Sequence, residues 1–199
     1  MTAIFKDDLA YSHTEADKEY WLKIYRKAFP TLESIEDNRE DGPTQRGGID
    51  KTVILKNGKR IGIDEKIRRI ANTGDIMLEY QSSPGSPGWA EKPLLCDYIV
   101  YIFLPSGLAH YLPVIQLQSV WQKNKEVWLN KYSTRSAKNE GYSTLNCPVP
   151  TNILYQAIQS EFTIQFGESK QEATPTVITA KTISRFTAAL LKIKQMRNN

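Results

Sequence analysis

Alternating apolar positions at Val53 and Leu55, then at Ile61 and Ile63, flank Asn57-Gly58, and this pattern predicts a β-hairpin over residues 47–66. Asp50 lies at the far end of its first strand and Asp64-Glu65-Lys66 at the far end of its second, so the turn brings these groups together. Register decides the outcome. A two-residue turn pairs Asp50 with Glu65 and sends Asp64 and Lys66 to the opposite face. A three-residue turn or a one-residue bulge pairs Asp50 with Lys66, and Asp50, Asp64 and Lys66 then share one face.

Helical spacing of Trp21, Ile24, Tyr25 and Ala28 predicts a helix over about 15–28, preceded by Ser12 and Thr14 and stopped by Pro30. Asp17, one turn ahead of Trp21, heads this apolar stripe, either as an acid favoured by the helix dipole or as one aimed at a site on the sheet. Glu15 and Glu19 point away from the stripe. The polar stretch 31–48 reads as a loop. Beyond Lys66, residues 75–81 alternate as a strand carrying Glu79, and the Pro/Gly-marked stretch 82–88 closes on Trp89.

Residues 94–103 form the most apolar run, a central strand broken by Asp97, which needs Lys92 or a backbone group as partner. A further strand follows at 109–112, then a helix over 116–131 whose Leu117, Val120, Trp121, Val127 and Trp128 suit packing on a sheet. The polar stretch 133–141 reads as a connection. Residues 144–150 read as an edge strand because of their prolines, and helices are expected over 153–162 and 182–196. The order of elements implies a mixed α/β fold.

Composition adds bounds rather than chemistry. A chain of 199 residues with 40% hydrophobic content suits a single soluble domain over 1–199, with a core over about 12–165 and a basic segment over about 177–199. Lys6, Asp7 and Asp8 interrupt the start where a signal peptide is apolar, and no run is long enough to span a bilayer, so no membrane partner and a cytoplasmic location are expected. The formal net charge of +4 is a mild pointer to a polyanionic partner. Its distribution says more, since Lys181, Arg185, Lys192, Lys194 and Arg197 fall in a segment without acids. Cys96 and Cys147 lack metal-ligand spacing and read as thiols. Phosphate-binding Gly-rich loops, GxGxxG and GxSxG are absent, and His13 and His110 offer little for zinc or histidine-based chemistry.

What the hairpin end does offer is a pair of carboxylates beside an amine. Phosphodiester hydrolysis needs a divalent ion to offset charge on the phosphorane and to acidify water, and Mg²⁺ takes one or two carboxylates while keeping several waters. Asp50 and Asp64 are candidate ligands, with Glu79, on the strand expected to neighbour Asp64's, or Asp17 as a further one. Lys66 is placed to orient water or to stabilise the transition state, and Glu65 is expected to point away toward a surface cation. Arg68, Lys92, Trp89, Lys181 and Arg185 are candidate nucleic-acid contacts, Trp89 by stacking on a base if it is not a core aromatic.

Asp50 followed after the hairpin by Asp64-Glu65-Lys66 resembles the Asp…(Asp/Glu)-X-Lys signature of the PD-(D/E)XK nucleases, with Ile49 where the family's name puts proline. The resemblance covers 47–66 directly, and the order of elements over 15–150 is similar to that family's core. The segments EYQSSPGW and CDYIVYIF further resemble uncharacterised phage and bacterial proteins of nuclease-like fold. The resemblance implies a restriction-endonuclease-like core, a mixed central sheet flanked by helices, with a C-terminal helical segment added. It implies an Mg²⁺- or Mn²⁺-dependent deoxyribonuclease in which Asp50 and Asp64 hold the metal, Lys66 is the catalytic lysine, and an acid of the first helix, Asp17 or Glu19, adds to the site. Many such nucleases dimerise to cut two strands, so a homodimer is an option. The alternative is a non-catalytic nucleic-acid or protein-binding module of the same fold, of phage or mobile-element origin.

Overall fold

The structure is a computed structural model that describes residues 19–138 and 141–163. Helix α1 (Glu19–Ala28) leads into β1 (Leu32–Asp37), the short α2 (Gly42–Arg46), and the hairpin β2 (Lys51–Leu55) and β3 (Arg60–Arg68). Then come β4 (Asp75–Ser83), β5 (Ser86–Pro87), β6 (Tyr98–Phe103), a 3-10 turn (Leu104–Ser106), β7 (Leu108–Pro113), α3 (Val114–Lys131), β8 (Arg135–Lys138), β9 (Ser143–Pro150) and α4 (Thr151–Ser160). The class is mixed α/β. One five-stranded mixed sheet has the order β1-β2-β3-β6-β7, antiparallel except where β3 runs parallel to β6. A second, antiparallel sheet has the order β5-β4-β9-β8.

The hairpin closes through a three-residue loop, 56–58. Leu55 N–H donates to Lys59 O at 2.9 Å and Gly58 N–H to Leu55 O at 2.8 Å. Gly58 sits at φ +80°, a left-handed conformation that glycine adopts without strain. Lys51 stands opposite Ile63 and Val53 opposite Ile61. The ladder stops there, because Asp50 N–H also donates to Ile63 O at 2.8 Å, so Asp50 and Lys51 stand together opposite Ile63 as a bulge. The ladder differs from the expected three-residue register by two residues, an even shift that keeps Asp64 and Lys66 on one face. The bulge ends the alternation at Asp50, whose side chain meets Asp64 and the Glu65 N–H at the hairpin end.

Two core clusters sandwich the larger sheet. Trp21 and Tyr25, one helical turn apart on α1, pack with Val53, Ile61, Ile63, Val100 and Ile102 on one face. On the other, Ile99, Tyr101 and Phe103 of β6 join Leu78 and Val149 of the second sheet, Leu117, Trp121 and Trp128 of α3, and Leu154 and Ile158 of α4. Strand β6 is thus buried on both faces, which explains its unbroken apolar run. Each Val, Ile or Leu fully buried there contributes about 1.5–3 kcal/mol of transfer free energy.

Several expectations are corrected by this topology. Strand β4 does not neighbour Asp64's strand, because the place beside β3 goes to the doubly buried β6 and β4 enters the second sheet. The central strand begins at Tyr98, and Asp97 lies exposed just before it, where its carboxylate accepts a hydrogen bond from Gly62 N–H at 2.8 Å. Its partner is thus the backbone rather than Lys92. Strand β9 is not an edge. It lies between β4 and β8, and its prolines are accommodated because β8 pairs only with Ser143–Asn146, leaving Pro148 and Pro150 bonded on the β4 side alone. The stretches read as loops hold short elements: β1 and α2 within 31–48, and β8 within 133–141. The helix expected over 182–196 and the basic segment with Lys181 and Arg185 lie outside the described residues, as does Asp17. Among the described residues, no helix is long and apolar enough to cross a membrane.

Candidate active site

Alternation along β3 turns Asp64, Lys66 and Arg68 to the face that meets the second sheet and Glu65 to the face that meets α1. The backbone of Asp50 bulges from the hairpin ladder, its N–H donating at 2.8 Å to the O of Ile63, the residue that Lys51 faces. Its carboxylate is held by β3, since Glu65 N–H donates to Asp50 Oδ2 at 2.8 Å. Beside it, Asp64 is only 3% exposed. Lys66 Nζ donates to Asp64 Oδ1, from a side chain that is 31% exposed.

The electrostatics at this point are unbalanced. Burial pushes the Asp64 carboxyl up to about 6, the Lys66 ammonium opposes the shift, and Asp50, within hydrogen-bonding reach, adds to it. Burial disfavours the charge on Lys66, but the carboxylates of Asp64, Asp50 and Glu79 outweigh it and hold the ammonium well above its ordinary value. Glu79 arrives from β4 across the gap between the sheets. Burial raises its carboxyl, while Lys66, Lys92 and the Trp89 backbone N–H lower it. Gly88 makes that approach possible, because a Cβ there would stand 2.3 Å from Glu79 O and 2.7 Å from Glu79 Cγ. Cys96, also buried here, has its thiol pushed up to about 12 by burial first and Asp64 second, which keeps it unreactive.

The opposite face carries a second polar cluster, which the sequence pattern did not announce. The Tyr25 hydroxyl donates to Glu65 Oε1. Burial pushes the Glu65 carboxyl up to about 7, opposed by that hydrogen bond and by Lys51. Lys51, 6% exposed, donates to Asp37 Oδ2 at 2.6 Å, and Arg39 Nε donates to Asp37 Oδ1 at 2.9 Å. Arg39 and Lys51 together hold the Asp37 carboxyl well below the usual carboxylate range. Glu65 is therefore an inward-facing group, not the surface carboxylate expected, because Tyr25 supplies a donor inside the α1 interface. The signal that it would face inward was its parity with Ile61 and Ile63, as Lys51's was its parity with Val53.

The structure thus gathers Asp50, Asp64 and Lys66, with Glu79 and Lys92 close enough to act electrostatically. Arg68 lies further along the same strand face, its charge acting on the Tyr101 hydroxyl. Trp89 is 6% exposed within the core, so no ring face is left to stack on a base. Cys96 and Cys147 are both free and buried. Among the described residues, no three His, Cys, Asp or Glu side chains converge as a ready-made ligand set. What fits two apposed carboxylates is a hard divalent cation that keeps most of its waters, and such a charge would relieve the repulsion between Asp50 and Asp64. No family model, curated protein or solved structure matches the chain.

Proposed function

We propose that this protein is a metal-dependent nuclease of restriction-endonuclease-like architecture that hydrolyses DNA phosphodiester bonds with Mg²⁺ or Mn²⁺. The observation that carries this reading is the meeting of two carboxylates, Asp50 and Asp64, at a hairpin end, with the Lys66 ammonium on Asp64 and partly open to solvent. Asp50 and Asp64 would hold the ion, which when bound supplies charge neutralisation at the phosphoryl group and acidifies water. Lys66 is kept fully charged by its neighbours and serves as a point charge for a phosphoryl oxygen or for the attacking water. Glu79 tunes the field around Lys66 from β4 and is itself acted on by Lys92, and the Glu65 N–H fixes the Asp50 carboxylate. The site suits the cytoplasm, where free thiols such as Cys96 and Cys147 persist.

A second reading, a non-catalytic nucleic-acid or protein-binding module of the same architecture, is favoured by one observation. Lys66 already forms an ion pair with Asp64 that needs no metal ion. The two readings separate in a cleavage assay on supercoiled, linear and branched DNA with Mg²⁺ and with Mn²⁺, comparing the wild type with Asp64→Asn and Lys66→Ala. The nuclease reading expects metal-dependent cutting that both substitutions reduce by at least about 100-fold. Cutting that neither substitution changes would come from a contaminant, and folded protein that cuts nothing hands the case to the binding module.

A further inference from the structure

Outside this site, the described residues hold a cavity of about 510 Å³ at the C-terminal end of α3, lined by residues of four elements and the turn before β4. Its volume is that of a small-molecule site. Tyr132 offers an aromatic ring, with Lys131 Nζ 5.6 Å from the ring centroid. Pro148 and Pro150 offer flat apolar surface on the part of β9 that β8 leaves uncovered. Thr73, Ser133 and Asp75 supply acceptors, and Lys131 and Arg135 supply donors.

This is poor chemistry for a bare phosphate. The cavity lies at the negative end of the α3 dipole and carries the Asp75 carboxylate, both of which repel anions. It is good chemistry for a nucleobase, which presents two apolar faces and an edge of mixed donors and acceptors. The cations suit the flanking backbone. Arg135 reaches Asp75 at 3.5 Å and the Met77 sulfur at 4.0 Å, so it lies over the sheet face that continues toward Glu79. Asp75, Met77 and Glu79 alternate onto that one face, about 13 Å from end to end, and Met77 between them is 6% exposed and packed in the core, so that face is closed between the cavity and Glu79.

We propose that this cavity is a nucleobase subsite, taking one unpaired base of single-stranded DNA whose flanking phosphates meet Lys131 and Arg135. That the strand is DNA rests on the nuclease reading; the base subsite itself does not. Stacking on an aromatic ring is sequence-tolerant and worth about tenfold or more in affinity per base.

The test is fluorescence anisotropy of a labelled single-stranded oligonucleotide and its duplex with the full chain in EDTA, where no cleavage occurs. The wild type is expected to prefer the single strand. Tyr132→Ala should weaken that binding about tenfold and leave duplex affinity unchanged, Tyr132→Phe should retain it, and Arg135→Gln, at an exposed position, should weaken it independently. A wild type that prefers the duplex, or single-strand affinity equal in wild type, Tyr132→Ala and Arg135→Gln, overturns the subsite. Because binding is read without metal, Tyr132-dependent binding by a protein that cuts nothing sustains the subsite while the nuclease reading falls. Cutting with no Tyr132 dependence of binding does the reverse.

Discussion

Asp64 and Glu65 are adjacent on β3, both inward-facing and both with carboxyls raised well above their ordinary values, yet their surroundings differ in kind. Glu65 faces a helix that presents it with a hydroxyl, and beyond it Lys51, Asp37 and Arg39 form paired charges that need nothing further. Asp64 faces a second carboxylate and a lysine partly open to solvent, so its neighbourhood improves when a positive charge is added. The same physical cost, a buried carboxylate, is settled by protein donors on one face and left partly unsettled on the other. An unsettled charge at an opening is where binding or chemistry is expected.

The largest effect should come from removing the amine on the unsettled face. Lys66→Met leaves Asp64 buried without its cation, and the loss at pH 8 should be about 3 kcal/mol or more, read from the denaturant midpoint. The double variant Lys66→Met/Asp64→Asn should recover most of it. A Lys66→Met protein as stable as wild type would mean that the pair does not hold the charge.

Titration comes next. Asp64, raised from 3.8 to about 6, and Glu65, raised to about 7, both keep their protons to higher pH when folded than when unfolded. Their contribution to stability is therefore complete below about pH 4 and is lost as pH rises through 6 to 7, on the order of 2–3 kcal/mol for Asp64. Asp37 has the opposite sign, since its depressed folded value makes stability fall as pH drops below about 4. Stability measured by thermal unfolding should peak near pH 4–5. Asp64→Asn should remove part of the fall above that peak, and a stability that instead rose from pH 5 to 8 would contradict the burial of both groups.

A comparable effect should follow from Mg²⁺. At about a hundredfold excess over its dissociation constant the ion should stabilise the wild type by about 2–3 kcal/mol at pH 8, and should leave Asp64→Asn unmoved. An equal rise in melting temperature in both proteins would place the ion elsewhere.

The smallest effect sharpens the contrast from the settled face. Tyr25→Phe removes the donor to Glu65 and should cost about 1–2 kcal/mol. The Mg²⁺ response should persist in that variant, because the hydroxyl serves the fold rather than the carboxylate pair. Loss of the response would show that the two faces are coupled through Asp50, whose carboxylate is held by the Glu65 N–H.

Features that depend on local period are written in the chain itself. Alternation at Val53, Leu55, Ile61 and Ile63 around Asn57-Gly58 specifies the hairpin, and the stripe of Trp21, Ile24 and Tyr25 specifies the face of α1 that packs on it. Both are legible because a side chain's direction is set by its own backbone geometry. From them follows the meeting of Asp50, Asp64 and Lys66, although the register that achieves it is two residues from the one expected. Long-range packing instead sets β6 rather than β4 beside β3, brings Tyr25 to Glu65, buries Trp89 in the core, and lines a cavity beside Tyr132 with β9, α3 and β8. Those outcomes rest on competition among distant elements for the same buried surface. No local pattern encodes that competition, because a strand's period states which face is apolar and not which neighbour will cover it.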